Sequence, residues 1–338
     1  EDWNLFGLQS QEVTIDLLTD SGTGSMSSEQ WAAIMRGDEA YAGSHSWQRF
    51  NKVLSELTGY KHIIPTHQGR ASEKILATIT VKEGDIIPSN SHFDTTRANF
   101  EAALATPVDL LCKEGLDLLT SAPFKGNIDL EKLEALLNSE DVDKIPFVLM
   151  TITNNTGGGQ PVSMENLKAV KALCEKYNKM FLLDACRFSE NAWFVSQRED
   201  SYKDIEIREI AKEAFRLADG CTISLKKDGF GNIGGVLAFN DDALAEAAKN
   251  VLILTEGFPT YGGLTGRDLE ALAQGLIEIT DRNYLEYRAR SISYLAEKAL
   301  QYGIPIVQPA GGHALYIDAK AFLPHIPPHQ YPGHSLAC

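Results

Sequence analysis

The sequence predicts an α/β fold in which helices cover both faces of a mostly parallel sheet. Short apolar runs with the length of buried strands alternate along the chain with longer segments of helical periodicity. That alternation is typical of parallel strands joined by helical crossovers. Several apolar runs end in polar or glycine-rich residues, and ligands of such sheets bind at the carboxyl ends of the strands. The ends of the predicted strands are therefore where we expect a functional site.

The individual elements follow from local residue patterns. Apolar runs or alternation predict strands at residues 13–18, 61–65, 145–153, 179–183, 220–227, 235–240 and 312–317, and one more within 84–94. Helical periodicity predicts helices at residues 47–57, 71–79, 130–137, 164–177, 205–217, 242–254 and 268–302. Ser27 and Gln30 have the spacing of a capping box, which predicts another helix start before Trp31.

The composition narrows the class of protein. A chain of 338 residues is long enough for one large domain and a second, smaller one. The net charge of -15 leaves no basic surplus to neutralise phosphates, so we expect no nucleic acid and no anionic membrane as partner. Five scattered cysteines fit a reducing compartment better than a disulfide framework or a zinc site. With no visible signal peptide or membrane-spanning run, we expect a cytoplasmic protein.

A possible anion site surrounds Gln68, Gly69 and Arg70. There a strand, a tight glycine turn and a helix start follow one another. The free amide groups and the positive dipole of a helix N-terminus attract an anion, and Arg70 would add a fork of donors for a phosphate. A simple turn with a surface arginine is the alternative, and this segment alone favours that alternative.

Three further polar or aromatic groups follow predicted strands. Phe93 lies at a strand-to-loop junction, where an aromatic ring is usually part of the core but can stack on a flat ligand. Asn155 lies in a glycine-rich loop and could hold a ligand oxygen. Asp184 ends an apolar strand and should be partly buried, which requires a partner. That partner is either Arg187 in an ion pair or a ligand.

The strand over residues 220–227 ends in two adjacent lysines, Lys226 and Lys227, with Ser224 three residues before the second. A lysine held at a strand end can lose its proton and attack a carbonyl. A solvated strand end is the plainer interpretation. Composition alone does not choose between the two lysines.

Taken together, these groups match the chemistry of pyridoxal 5′-phosphate. They offer an anion cradle, a carboxylate for a ring nitrogen, donors for a phenolic oxygen and a lysine for an aldehyde. NAD fits less well, because no G-x-G-x-x-G motif follows the first strand.

Six longer motifs then make the chain resemble a known family. They are LLTDSGTG (17–24), MRGDEAYAG (35–43), PTHQGR (65–70), GGGQPVS (157–163), SLKKD (224–228) and EGFPTYGG (256–263). On these motifs the chain resembles the β-eliminating lyases, the family of tryptophanase and tyrosine phenol-lyase, over nearly its whole length.

The resemblance implies the fold type I, aspartate aminotransferase-like architecture and a homotetramer, built as a dimer of dimers with active sites at dimer interfaces. It implies a large cofactor-binding domain over residues 27–285 and an N-terminal segment, 1–26, that belongs partly to a small domain. Residues 286–338 would begin that small domain. Family members continue beyond the equivalent of Cys338, and the continuation carries the arginine that binds the substrate carboxylate, so we expect the small α/β domain to be incomplete here.

The resemblance also implies roles for individual residues. Lys227 corresponds to the lysine that forms the Schiff base, with Lys226 beside it, and Asp184 to the carboxylate at the pyridine nitrogen. Arg187 and Asn155 correspond to the contacts of the ring hydroxyl oxygen. The implied phosphate cradle is Gln68, Gly69, Arg70 and Ser224, and the implied stacking ring is Phe93.

Two further sites are implied in the same way. Tyr41 corresponds to a general acid near the leaving group. The family binds a monovalent cation, K⁺ by preference, and the matching ligands are the side chain of Glu39 and the backbone carbonyls of Gly22 and Asn232.

The implied reaction is the α,β-elimination of an aromatic L-amino acid, in which Lys227 removes the α-proton and Tyr41 protonates the leaving carbon. Asp94 and the segments at residues 35–38 and 323–327 look more like tryptophanase, which favours L-tryptophan giving indole, pyruvate and ammonia. L-Tyrosine giving phenol is the alternative substrate. A catalytically silent relative and an aminotransferase on the same fold are the alternatives in function.

Overall fold

A seven-stranded mixed sheet forms the centre of the computed structural model, which describes residues 4–338. Its strands are β1 (His62–Thr66), β2 (Ile86–Ser89), β3 (Thr106–Asp109), β4 (Phe147–Thr151), β5 (Met180–Asp184), β6 (Gly220–Ser224) and β7 (Gly235–Phe239). Their order is β1-β7-β6-β5-β4-β2-β3. Strand β7 runs antiparallel to both β1 and β6, and the remaining neighbours are parallel. The predicted α/β class and mostly parallel sheet are confirmed.

Fourteen α-helices surround or follow this sheet within residues 4–338. They are α1 (Ser28–Ile34), α2 (His45–Thr58), α3 (Gly69–Thr80), α4 (Asp94–Ala102), α5 (Lys113–Leu116), α6 (Leu130–Leu137), α7 (Met164–Lys176), α8 (Phe188–Arg198), α9 (Ile207–Leu217), α10 (Asp242–Thr255), α11 (Gly266–Glu278), α12 (Arg282–Gln301), α13 (Ala319–Phe322) and α14 (Pro332–Ala337). Short 3-10 turns lie at Leu5–Gly7, Ser10–Glu12, Val142–Lys144, Asp200–Tyr202 and Pro328–Gln330. The predicted capping box at the start of α1 is confirmed, since Ser27 and Gln30 exchange both hydrogen bonds.

Apolar side chains cover both faces of the sheet. Phe181 and Leu183 of β5 belong to the larger core cluster, whereas Leu182 between them belongs to the smaller cluster on the other face. Successive side chains of a strand point to opposite faces, so a strand that is apolar at every position is buried on both sides. This two-sided burial leaves the strand ends as the accessible part of the sheet.

Three predictions of secondary structure are wrong. Residues 13–18 form no strand, and Ile15 and Leu17 are exposed. Residues 312–317 contribute only an isolated bridge between Ile317 and Ile306. In both cases the alternating pattern has no strand of the sheet beside it, and a strand needs a partner for its backbone hydrogen bonds.

The predicted helix over residues 268–302 is two helices, α11 and α12. The chain turns between them, and the carboxylate of Asp281 caps α12 by accepting a hydrogen bond of 2.8 Å from the amide of Tyr284. Aspartate is a strong N-cap residue, so the break has a local cause that periodicity alone did not reveal.

Helix α12 leads into a segment with its own small apolar cluster, formed by Ala296, Ala299 and Ile306. The same helix packs against α8 of the sheet-containing part. The division into segments 1–26, 27–285 and 286–338 stays a prediction, and residues 1–3 lie outside the described residues. Among residues 4–338, no helix has both the length and the apolar character needed to cross a membrane.

Candidate active site

A cleft lies at the carboxyl ends of β4, β5 and β6, beside the start of α3. Its lining residues are Ser21, Gln68, Gly69, Arg70, Glu73, Phe93, Thr95, Thr151, Thr153, Asn155, Asp184, Cys186, Arg187, Ser224, Lys226 and Lys227. Every residue that the sequence predicts as a cofactor contact is in this set. The structure thus brings together groups that are up to 159 positions apart in the chain, from Gln68 to Lys227.

The start of α3 supplies the predicted anion cradle. Gln68 is its N-cap residue, and no side chain caps the helix there. The first amides of an uncapped helix are available to an anion. A Cβ atom on Gly69 would lie 2.6 Å from Cβ of Ser224, so only glycine lets the helix start approach the end of β6 this closely.

Lys227 lies in the turn that follows β6, with its amine directed to a neighbouring hydroxyl. Its Nζ donates a hydrogen bond of 3.0 Å to Oγ of Ser224. The backbone of Lys226 is held as well, because its carbonyl accepts a hydrogen bond of 2.7 Å from the amide of Gly22. Both lysines line the cleft, and Lys227 also borders a second cleft beside α12.

Asp184, the last residue of β5, is only 2% exposed. Its Oδ1 accepts a hydrogen bond of 2.9 Å from the thiol of Cys186. Burial raises the pKa of Asp184, and the hydrogen bond from Cys186 and the charge of Lys227 offset this effect only in part. A buried carboxylate of this kind gains most from a cationic partner in the cleft.

Arg187 forms its ion pair with Asp20 and not with Asp184, which corrects one of the two interpretations of Asp184. Nε and Nη2 of Arg187 donate hydrogen bonds of 2.8 Å and 2.7 Å to the two carboxylate oxygens of Asp20. Sequence reasoning missed Asp20. In the sequence, Asp20 is recognisable only as an acidic residue in a glycine-rich turn. Nothing in that turn points to Arg187, which is 167 positions further along the chain.

Glu73, in the first turns of α3, is a second buried carboxylate on the cleft wall. Its Oε2 accepts a hydrogen bond of 2.6 Å from the hydroxyl of Thr95. Burial, and then the negative charge of Asp184, raise the pKa of Glu73 to about 7. Sequence reasoning missed this residue too, although it is adjacent to Ser72 on the buried face of the helix.

Behind the cleft, a buried charge network centres on Glu190 of α8. Arg288 of α12 donates to Oε2 of Glu190 at 3.0 Å and to Oδ1 of Asp228 at 3.1 Å. Burial alone would raise the pKa of Glu190, but the electrostatic interactions with His313 and Arg288 outweigh it and lower the pKa to about 2. Asp228 directly follows Lys227, so the network joins α12 to the lysine turn.

The same network reaches Asn155 through His313. One ring nitrogen of His313, Nδ1, lies 2.8 Å from Oε1 of Glu190, and the other, Nε2, lies 2.9 Å from Oδ1 of Asn155. The hydroxyl of Tyr316 also donates to Asn155. None of these partners was predicted, because each contact depends on how residues after 304 fold back onto the sheet.

The predicted general acid and the predicted substrate contact do not line this cleft. Tyr41 is 76% exposed, lies near the ring of Phe258, and borders a separate cleft together with Glu39. Asp94 is exposed at the first position of α4, immediately after Phe93. Their roles stay predictions.

The three predicted cation ligands are partly brought together. The side-chain amide of Asn232 donates a hydrogen bond of 3.0 Å to the carbonyl of Gly22. Glu39 lies elsewhere, where its carboxylate accepts from the amide of Gly266 at 2.8 Å. No cluster of three or more histidine, cysteine, aspartate or glutamate residues that could hold a metal ion exists in the described chain. The cation site stays a prediction.

Sequence comparison places residues 16–325 within a family model described as "Beta-eliminating lyase". The chain is 59% identical to the tryptophanase of Rhodobacter capsulatus, over 99% of this chain and 74% of that one. It is 57% identical to the tryptophanase of Hyphomonas neptunium, with the same coverage of both chains. It is 50% identical to the tyrosine phenol-lyase of Pasteurella multocida, over 99% of this chain and 73% of that one.

Solved structures with low sequence identity share the fold. A complex of SepCysS with the N-terminal domain of SepCysE superposes with a TM-score of 0.61 at 14% identity, over 96% of this chain and 86% of that one. A putative aromatic amino acid beta-eliminating lyase/threonine aldolase from Exiguobacterium sp. 255-15 also gives 0.61, at 15% identity, over 87% of this chain and 78% of that one. These likenesses support the α/β architecture described above.

Proposed function

This chain belongs to the β-eliminating lyase family, and from that premise we propose that it cleaves L-tryptophan into indole, pyruvate and ammonia with pyridoxal 5′-phosphate as cofactor. The observation that carries the proposal is a single cleft that combines an uncapped helix start, a buried carboxylate and a strand-end lysine. Each of these features matches a different part of the cofactor: its phosphate, its ring nitrogen and its aldehyde.

The residues of the cleft fit this cofactor. The amides at the start of α3, with Arg70 and Ser224 beside them, suit a phosphate, and Gly69 leaves no side chain in the way. Asp184 is buried without a cation bonded to it, which suits a protonated ring nitrogen. Phe93, at the N-cap of α4, supplies an aromatic face on the cleft wall.

The chain's own residues would divide the chemistry among them. When bound, the cofactor supplies an electron-withdrawing ring that stabilises negative charge on the α carbon of the substrate. Asp184 would favour a proton on the ring nitrogen, and Arg187 and Asn155 would hold the ring oxygen. Lys227, with its amine held at Ser224, is the base that removes the α-proton.

Tyr41 is our proposed acid for the leaving aromatic carbon. Because it borders a different cleft of the same chain, it would serve the active site of a neighbouring subunit in the proposed homotetramer.

Glu39 would likewise meet the Gly22–Asn232 pair of another subunit and complete a K⁺ site there. Carboxylate and carbonyl oxygens suit a hard cation. We propose a cytoplasmic location on the composition alone.

The alternative substrate is L-tyrosine, which would give phenol through the same chemistry. The higher identity to tryptophanases, 59% and 57% against 50% for a tyrosine phenol-lyase, favours L-tryptophan. Asp94 next to Phe93 is the residue that we propose for substrate choice. Product analysis with each amino acid separates indole from phenol, and an aminotransferase would release neither.

The function is tested with Lys227→Ala, which we expect to abolish the visible absorption of the bound cofactor and to reduce indole release by about 10³-fold or more. Lys203→Ala is the control, because Lys203 is a solvent-exposed lysine in a surface ion pair with Asp200. Equal release of indole and pyruvate by the unmodified protein supports the proposal. Cofactor binding without product release would instead identify a catalytically silent relative.

A further inference from the structure

We propose that Asp20 is a positioning residue that fixes the guanidinium of Arg187 for its contact with the ring oxygen of the cofactor. The inference rests on the proposed function and extends it to a residue outside the cofactor cleft. Asp20 binds both Nε and Nη2 of Arg187, at 2.8 Å and 2.7 Å. Two parallel hydrogen bonds of this kind set the plane of the guanidinium as well as its distance.

The pairing leaves one side of Arg187 available to a ligand. Its third nitrogen, Nη1, has no hydrogen-bond partner among residues 4–338, although Arg187 is buried and lines the cofactor cleft. Asp20 does not line that cleft and borders the neighbouring one beside α12. Asp20 therefore has no place on the wall of the cofactor cleft, and Arg187 is the cleft residue that its carboxylate binds.

Asp20 is itself anchored by the turn that carries it. The amide of Gly22 donates to the carbonyl of Lys226 at 2.7 Å, and the side chain of Asn232 donates to the carbonyl of Gly22 at 3.0 Å. The turn is thus attached to the loop after β6 at two points. Since Lys227 is in the same loop, Asp20 holds Arg187 in a fixed relation to the reactive lysine.

The ion pair also keeps Arg187 away from Asp184. Both residues line the cleft, and the charge of Arg187 already acts on Asp184. Without Asp20, the guanidinium would be drawn to the other buried carboxylates on which its charge already acts, Glu190 and Asp184, and Asp184 is the group needed at the ring nitrogen. Burial alone would raise the pKa of Asp20, but the hydrogen bonds and charge of Arg187 hold it well below the ordinary value, so the pair stays ionised at neutral pH.

The test is a double-mutant cycle on cofactor binding. We expect Asp20→Asn to raise the dissociation constant for pyridoxal 5′-phosphate about tenfold and to shift the pH midpoint of the visible absorption of the bound cofactor. In an Arg187→Ala background, Asp20→Asn should change neither quantity, because the guanidinium that Asp20 positions is absent. Cofactor binding is measured by equilibrium dialysis of the whole chain.

Two further variants make the result decisive. Glu213→Gln removes a carboxylate from a surface ion pair with Lys168 and should leave both quantities unchanged. Asp20→Glu keeps the charge and should give an intermediate dissociation constant; it replaces Asp20→Asn if that variant does not fold.

The outcomes separate this inference from the proposed function. If the unmodified chain binds the cofactor and Asp20→Asn matches it in both quantities, the positioning role is wrong while the proposed function stands. Equal effects of Asp20→Asn with and without Arg187 would also overturn the role, because Asp20 would then act by general stability. If the unmodified chain binds no pyridoxal 5′-phosphate, both proposals fail.

Discussion

Two buried carboxylates, Asp184 and Glu73, face the same cleft. Burial raises the pKa of both, and the charge of Asp184 contributes to raising that of Glu73 to about 7. Lys227 and the hydrogen bond from Thr95 act in the opposite direction. Like charges in one low-dielectric site disfavour the doubly ionised state. The site therefore favours one negative charge on this pair of carboxylates over two.

At the residue scale, we expect Glu73 to make the cofactor-free protein less stable as the pH rises from about 5 to 8. In the unfolded chain Glu73 loses its proton near the ordinary value of 4.5, whereas in the folded chain it does so at about 7. Between these values the folded state binds more protons, so rising pH favours unfolding. Glu73→Gln should stabilise the protein at pH 8 by on the order of 1–3 kcal/mol, with little effect at pH 5.

Thermal unfolding at the two pH values measures this difference. Glu56→Gln is the control, because Glu56 is a surface residue whose nearest cation, Lys52, is 3.9 Å away. The control should follow the unmodified protein at both pH values. A Glu73→Gln variant that does the same would show that Glu73 titrates normally.

At the element scale, the site depends on how closely the start of α3 approaches the end of β6. Gly69 and Ser224 meet where the two elements touch, with no space for a Cβ atom between them. Gly69 is required for its small volume and not for its backbone angles, because only the added Cβ atom of another residue would clash. The contact brings the uncapped amides of α3 next to the lysine turn.

We expect Gly69→Ala to destabilise the protein by about 1–3 kcal/mol and to weaken cofactor binding, because the new methyl group would force α3 and β6 apart. Thermal unfolding and equilibrium dialysis are the measurements. Gly333→Ala is the control: Gly333 lies within α14, and its nearest neighbour, Cβ of Ala319, would be 3.9 Å from the added methyl group. That control should be neutral or stabilising by up to about 1 kcal/mol. A fully stable Gly69→Ala variant would mean that the two elements can move apart at no cost.

At the scale of the whole molecule, α12 is joined to the sheet-containing part by charge as well as by packing. Arg288 lies between Glu190 of α8 and Asp228 of the lysine turn, and all three are buried or nearly so. Burial alone would lower the pKa of Arg288, but the charges of Glu190 and Asp228 raise it above its ordinary value. The cation is therefore permanent, and each carboxylate depends on it.

We expect Arg288→Met to lower the stability of the protein by about 3–5 kcal/mol, because two buried carboxylates would lose their shared partner. Thermal unfolding measures the loss. Arg290→Met is the matched control two residues further along α12, where the arginine is exposed and its nearest carboxylate, on Glu286, is 3.7 Å away. A surface pair of this kind contributes about 0–1 kcal/mol. Similar melting temperatures for the two variants would show that Glu190 and Asp228 find other partners.

Much of the fold and the cofactor cleft could be predicted from local patterns. The apolar runs that became β4, β5 and β6 are recognisable because every position is buried, and the cap of α1 involves residues three apart. The strand-end groups could be assigned to one site because parallel strands present their carboxyl ends on the same edge. The alternating residues 13–18 show the limit, since alternation does not supply a neighbouring strand.

The sequence by itself determined the class of the fold, the family and the strand-end residues predicted as cofactor contacts, because each of these depends on short motifs and on the order of elements along the chain. Only the tertiary structure decided the partners of the charged groups. Asp20 with Arg187, Arg288 with Glu190, and His313 with Asn155 are each about 100 or more positions apart. A buried charge takes the opposite charge that packing brings within a few ångströms, and that distance is not encoded in any local pattern.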